Sequence, residues 1–178
     1  MIFAALSVLL VFAILLLAEY GSRAKGIHSE LTRKCIHLSV GTFVAFWPFF
    51  LSWRQIQLLS LAFFLVIVIS LKFNIFRSIH AVRRGGVGEV LFAIVIGFLA
   101  VVSTDEWVFT VSMLFLSLGD GLAAVVGTLW GDKRKYKVFG STRTVAGTAT
   151  FLIVALTITA VYVAFGPGEA GMTTLVWL

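Results

Sequence analysis

Six apolar runs dominate this chain, each long enough, or nearly so, to cross the roughly 30 Å of hydrocarbon in a bilayer. They cover Ile2–Ala18, Ile36–Leu51, Gln55–Leu71, Gly88–Ser103, Trp107–Trp130 and Val145–Phe165. A backbone inside lipid must satisfy its own hydrogen bonds, and apolar runs of this length do so as helices. The expected fold is therefore all-α: a polytopic integral membrane bundle of about six transmembrane helices, forming one transmembrane domain over residues 1–178. Charged residues make up 12% of the chain, against about 25% in soluble domains. Half of the usual aqueous surface is missing, as it is when lipid covers the outside. The first run has no basic residues before it and five further runs after it, so it reads as a retained helix and not as a signal peptide. After Gly166-Pro167-Gly168-Glu169, the apolar segment Gly171–Leu178 is too short to span. It reads as the start of a seventh helix in a C-terminally truncated chain, or as a short interfacial tail.

Lys and Arg decide which way such a bundle faces. The first loop holds Arg23, Lys25, Arg33 and Lys34; the third holds Lys72, Arg77, Arg83 and Arg84; the fifth holds Lys133, Arg134, Lys135, Lys137 and Arg143. Arg54 alone lies in an even-numbered loop. The odd loops are expected at the cytoplasm and the N-terminus outside. The acidic turn Ser103-Thr104-Asp105-Glu106 suits the outer face. The net charge of +6 is thus topology, confined to short loops, and nucleic acid is not an expected partner. A single cysteine, Cys35, excludes an internal disulfide. Nothing in the sequence sets an oligomeric state.

Chemistry concentrates between Gly119 and Gly147. Asp120 sits inside an apolar helix, where a carboxylate costs about 2.5–3.5 kcal/mol on insertion scales. Such an acid either pairs with a nearby base as a packing element or serves a site. Ala123, Ala124, Gly127 and Gly131 fall near the Asp120 face at helical spacing, where small residues allow close helix approach or bring a ligand to the backbone. The basic loop Asp132-Lys133-Arg134-Lys135-Tyr136-Lys137 follows. Then Gly140-Ser141-Thr142-Arg143-Thr144 opens the last span. Hydroxyls there are ordinary N-caps, yet a helix start with hydroxyls and an arginine also binds anions. With Asp120, the economical account is a site for a nucleotide and its magnesium ion, with carboxylates on the metal and Arg and Lys on phosphate oxygens.

Two further clusters face the same side. Arg33, Lys34 and His37 lie within one helical turn, with Arg33 and His37 at i, i+4; they are either a topological anchor or one functional patch. Arg83-Arg84-Gly85-Gly86-Val87-Gly88-Glu89 joins a glycine-rich turn to an acid at a helix start, a position that the helix dipole favours by itself.

At these residues the chain resembles the polyprenol kinase family of integral membrane proteins, which includes dolichol kinase, phytol kinase and the CTP-dependent diacylglycerol kinase. Asp120, Ala123, Gly127 and Gly131 match the family's D-x-x-A-x-x-x-G stretch and the spaced glycine after it. Arg143, Thr144 and Gly147 match its K-K-T-x-E-G element, and Arg33, Lys34 and His37 match its R-K-x-x-H element. The resemblance spans residues 30 to 150 or so. It implies transfer of the γ-phosphoryl of CTP to the hydroxyl of a membrane lipid alcohol, with Mg²⁺ or another divalent cation, at the cytoplasmic face. On that reading Asp120, with Asp132, holds the metal. Arg33, Lys34, Lys133, Arg143, Ser141, Thr142, Thr144 and the glycines Gly127, Gly131 and Gly147 form the nucleotide site. His37 or Glu89 takes the hydroxyl proton. The chain departs from the family at Ala146, where a glutamate is expected, and at Thr142, where a lysine is. It also lacks the further helix with acidic and D-N elements that follows in many members. A CDP-diacylglycerol synthase-like cytidylyltransferase shares the G-D and S-x-K/R-T-x-x-G elements and is the alternative enzyme. A non-catalytic or transport protein with an intramembrane acid is the alternative of another class.

Overall fold

The computed structural model describes residues 2–25, 29–73, 87–131, 134–138 and 141–167. Six helices form over these residues: α1 (Ile2–Lys25), α2 (Ser29–Ala45), α3 (Trp53–Phe73), α4 (Val87–Val102), α5 (Glu106–Trp130) and α6 (Val145–Phe165). Three of them, α3, α5 and α6, are long and apolar enough to cross a membrane. Large apolar side chains stay outside along the helices, among them Leu17 at 70% exposure, Phe98 at 62% and Ile153 at 63%. Water would not tolerate so continuous an apolar coat, whereas lipid does.

The helices alternate in direction, and the packing records it. One closed end gathers Val44, Ala45 and Trp47 after α2, Leu51 and Ile56 at the start of α3, Ile96 and Ala100 late in α4, and Phe109 and Met113 early in α5. Each of these is at most 5% exposed. Polar groups at this end are satisfied locally. Asp105 caps α5 by accepting from the Trp107 and Val108 amides at 2.8 and 3.0 Å, and the buried Thr110 hydroxyl donates to Ala45 O at 2.8 Å, at the last turn of α2. Such a carbonyl has no partner within its own helix. Gln57 Nε2 likewise ties α3 to α4 through Ala100 O at 2.9 Å.

Two local features were not expected. Residues Phe115–Gly119 of α5 form a π turn between α-helical segments Glu106–Leu114 and Asp120–Trp130. The basic loop after α5 folds as an antiparallel hairpin, β1 (Lys135–Val138) with β2 (Ser141–Thr144), in the register Lys135 to Thr144 and Val138 to Ser141. Tyr136 and Val138 on one side and Thr142 and Thr144 on the other suit a strand pair better than a helix. The hairpin is tied down onto α6: the Val145 amide donates to Arg134 O at 3.1 Å, and Tyr136 OH bonds the Thr148 hydroxyl.

Candidate active site

The open end of the bundle carries the chemistry. Here α2 begins, α3 ends, α4 begins and α5 passes through Asp120. Lys34 Nζ donates to Asp120 Oδ2 at 3.2 Å. The lysine side chain is mostly enclosed, 17% exposed, while the aspartate is 47% exposed. Two clusters 86 residues apart in sequence are thereby joined. The acid that costs free energy inside an apolar helix sits beside a lysine and at a rim that solvent still reaches.

The π turn explains how His37 joins them. In an uninterrupted α-helix the Asp120 amide would bond Leu116 O, four residues earlier. Instead it bonds Phe115 O and Ser117 O, and the Leu116 carbonyl turns to His37, whose Nε2 lies 3.3 Å away. A carbonyl can only accept, so Nε2 carries the proton, and in the neutral ring Nδ1 is then the basic nitrogen. The imidazole also packs on Phe92 of α4, ring centroids 4.5 Å apart. Helix α2 fits against the turn because Gly41 has no side chain: a β-carbon there would lie 2.5 Å from Ser117 Cβ.

Beneath this rim lies a cavity of about 340 Å³. Lys34, His37, Ser70 and Asp120 are its polar wall residues; the rest of the lining is aliphatic or aromatic, from α1 to α5.

The predicted glycines go elsewhere. Gly119, Ala123, Gly127 and Gly131 form a ridge of small residues against α6. A β-carbon at Gly119 would meet the Phe151 ring at 3.0 Å, at Gly127 the Thr144 hydroxyl at 2.8 Å, and at Gly131 Thr144 Cγ2 at 2.5 Å. Opposite them, Gly147 leaves room for Ala123 O, 2.8 Å from where its β-carbon would be. Thr144 caps α6, its hydroxyl accepting from the Gly147 amide at 3.1 Å. Gly127, Gly131, Thr144 and Gly147 thus pack on one another and fix the crossing of α5 and α6. Asp120 and Gly121 turn instead to α2, where Gly121 lies against Leu38.

Nor do the hairpin residues gather with Asp120. Strand alternation puts Thr142 and Thr144 on one face of the hairpin and Arg143, opposite Tyr136, on the other. Gly131, which touches Thr144, lies eleven residues beyond Asp120, about 16 Å along the helix axis. Asp132 and Lys133 lie outside the described residues, as do the side chains of Arg33, Glu89 and Ser141. Among the described residues no three His, Cys, Asp or Glu side chains converge to hold a metal. A lone carboxylate nevertheless suits Mg²⁺, which is commonly held by one or two carboxylates with the remaining positions taken by water and substrate phosphates. Asp120, half exposed at the rim, is that kind of donor.

Sequence reasoning missed the Leu116 carbonyl, because a backbone acceptor freed by a π turn has no side-chain signature. It also missed Ser70, a hydroxyl buried late in an otherwise apolar helix.

No family model matches the chain, and no solved structure does. A phytol kinase from Synechocystis sp. is 30% identical over 159 residues, covering 86% of this chain and 67% of that protein.

Proposed function

This chain belongs to the polyprenol and phytol kinase family, and from that premise we propose that it phosphorylates the hydroxyl of a membrane lipid alcohol, with CTP as donor and Mg²⁺ as the metal. The observation that carries the reading is the Lys34–Asp120 pair and His37 at the rim of an apolar cavity. A lipid alcohol is apolar except at one end, and this site has the same division.

The substrate hydroxyl sits at the rim with its chain below. His37, held by the Leu116 carbonyl, takes the hydroxyl proton on Nδ1 as the oxygen bonds to the γ-phosphorus. The bond from that phosphorus to the β-phosphate oxygen breaks, and CDP leaves. Lys34 neutralises charge on the transferring phosphoryl group, and Asp120 would hold Mg²⁺, which supplies charge neutralisation across the phosphates. The nucleotide extends from this rim toward the hairpin, where Arg143 meets its outer part. The spans are taken as six, with the N-terminus outside and the site on the cytoplasmic face, as the Lys and Arg distribution requires.

Purified protein given CTP, Mg²⁺ and a panel of phytol, polyprenol and diacylglycerol tests this. Lipid phosphate and CDP are the expected products. Pyrophosphate and a CDP-lipid, formed from a lipid phosphate, would instead make the chain a cytidylyltransferase. No transfer to any alcohol from any nucleotide refutes the kinase reading.

A further inference from the structure

Phosphoryl transfer through Lys34, His37 and Asp120 leaves one polar group of the cavity wall without a task. Ser70 is 3% exposed and lines the cavity together with those three residues. The buried serines Ser7 and Ser60 have local explanations. They donate within their own helices to Phe3 O and Gln57 O, each at 2.8 Å, and neither lies on the cavity wall. Ser70 continues the row Ile56, Ser60, Phe63 and Ile67, spaced as the inward face of a helix, and brings it to the cavity rim.

Its depth follows from the pairing of α3 with α4. Gln57 bonds Ala100 O at 2.9 Å, and Gly97 lies against Ser60, where a β-carbon would meet the hydroxyl at 2.8 Å. The two helices are therefore antiparallel. Thirteen residues beyond Gln57 is Ser70 and thirteen before Ala100 is Val87, so Ser70 stands level with the first residue of α4. Phe92, which packs on the His37 ring, lies five residues deeper on α4, about 8 Å along the axis. Side chains lean toward the N-terminus of their helix. Phe92 and His37, on helices that begin at the open end, lean outward, whereas Ser70, on a helix that ends there, leans inward. The serine hydroxyl and the imidazole thus approach one layer of the cavity from opposite directions.

We propose that Ser70 binds the substrate directly: its hydroxyl donates a hydrogen bond to the oxygen of the lipid alcohol and holds that oxygen against His37. The inference rests on the lipid-alcohol kinase reading and adds to it the group that fixes the nucleophile. An alcohol oxygen has two lone pairs and one proton. One lone pair accepts from Ser70, the second attacks the γ-phosphorus, and the proton passes to His37 Nδ1. Ser70 keeps its own proton throughout. A serine hydroxyl rotates to suit its partner, so contacts within the protein do not bar it from the substrate. This bond forms with the bound alcohol before transfer begins, so its loss weakens alcohol binding more than it slows the chemical step. A site built to bond a hydroxyl also discriminates against an analogue that lacks the oxygen.

Competition against a photoreactive long-chain alcohol in micelles, without nucleotide, compares two analogues of phytol at equal mole fraction. One is its methyl ether, which keeps the oxygen, and the other is the hydrocarbon without it. The ether should compete better, and Ser70→Ala should cut its advantage about 3–10-fold, the weight of one hydrogen bond. Ser70→Thr, which keeps the hydroxyl, should restore it. In turnover, Ser70→Ala should raise KM for the alcohol by a similar factor with KM for CTP unmoved. An ether advantage unchanged in Ser70→Ala overturns the assignment. So does a joint fall in CTP affinity and thermal midpoint, as a purely structural serine would give. An ether advantage that Ser70→Ala removes, in a protein that phosphorylates no alcohol, overturns the kinase reading and leaves Ser70 as a site for a lipid oxygen.

Discussion

Replacing Gly147 with alanine measures how closely α6 must approach α5. The new β-carbon would lie 2.8 Å from Ala123 O, 3.0 Å from the Thr144 hydroxyl and 3.5 Å from Gly127 Cα. Ordinary contact begins near 3.4 Å. The atom in the way is backbone, so no rotamer change relieves it, and the helices must separate by about half an ångström. Overpacking of this kind costs about 1–3 kcal/mol, while alanine in place of glycine returns at most about 1 kcal/mol of helix propensity. The net is a loss of roughly 1–2 kcal/mol. At about 2–4 °C per kcal/mol for a chain of this size, the midpoint of thermal unfolding in detergent, followed by tryptophan fluorescence, should fall by several degrees. Gly21 supplies the opposite sign: it lies within α1 with nothing within 4 Å of its β-carbon position, so Gly21→Ala should raise the midpoint by up to about 4 °C. A Gly147→Ala protein as stable as the parent, or more so, refutes the close crossing. The functional interpretation of Gly127, Gly131 and Gly147 as nucleotide contacts would then regain its force.

Two further outcomes concern the rim. Asp120→Asn keeps the shape of the side chain but removes its charge; phosphate transfer should drop on the order of 10²–10³-fold, and Mg²⁺-dependent CTP binding by calorimetry should vanish. Unchanged binding in that variant removes Asp120 from the nucleotide site. His37→Gln retains an N–H for the Leu116 carbonyl but cannot accept the substrate proton. Transfer should fall about 10²–10⁴-fold, and the loss of rate on the acid side of the pH profile should flatten; persistence of that acid limb excludes His37 as the base.

Much of this architecture is legible in the sequence, and what is not has physical reasons. The apolar runs locate the helices because their length and lack of period-2 alternation leave no other way to satisfy a backbone in lipid. Asp120, Lys34 and His37 stand out singly as polar residues in apolar surroundings. Their meeting is a tertiary fact that no local pattern contains. Thr142 and Arg143 stand just before a helix start, but strand pairing with Lys137 and Tyr136 claims them first. Only Thr144 took the capping role expected of the cluster. The glycine spacing is legible as a close-packing face, whereas the helix it packs against, α6, is again a tertiary fact.

The π turn connects packing to chemistry. Trp107, Val111, Phe115, Gly119, Ala123, Gly127 and Gly131 recur at every fourth position of α5, and the first part of this row packs with Tyr162 and Ile158 of α6 as the later part packs with Phe151 and Gly147. On an α-helix a row at every fourth residue drifts about 40° per step, so six steps would carry it well round the cylinder and away from its partner. The extra residue of the π turn takes back about 100° of that drift, and oblique crossing along the i±4 ridge absorbs the rest. The same insertion lets Thr110, Ser117 and Gly121 stay on α2, against Ala45, Gly41 and Leu38. It also releases the Leu116 carbonyl toward His37, one turn before Asp120 meets Lys34. A helix without the turn could keep one seam or the other. Keeping both is what opens a polar rim over an apolar cavity, so the irregularity of α5 and the position of the site have one cause.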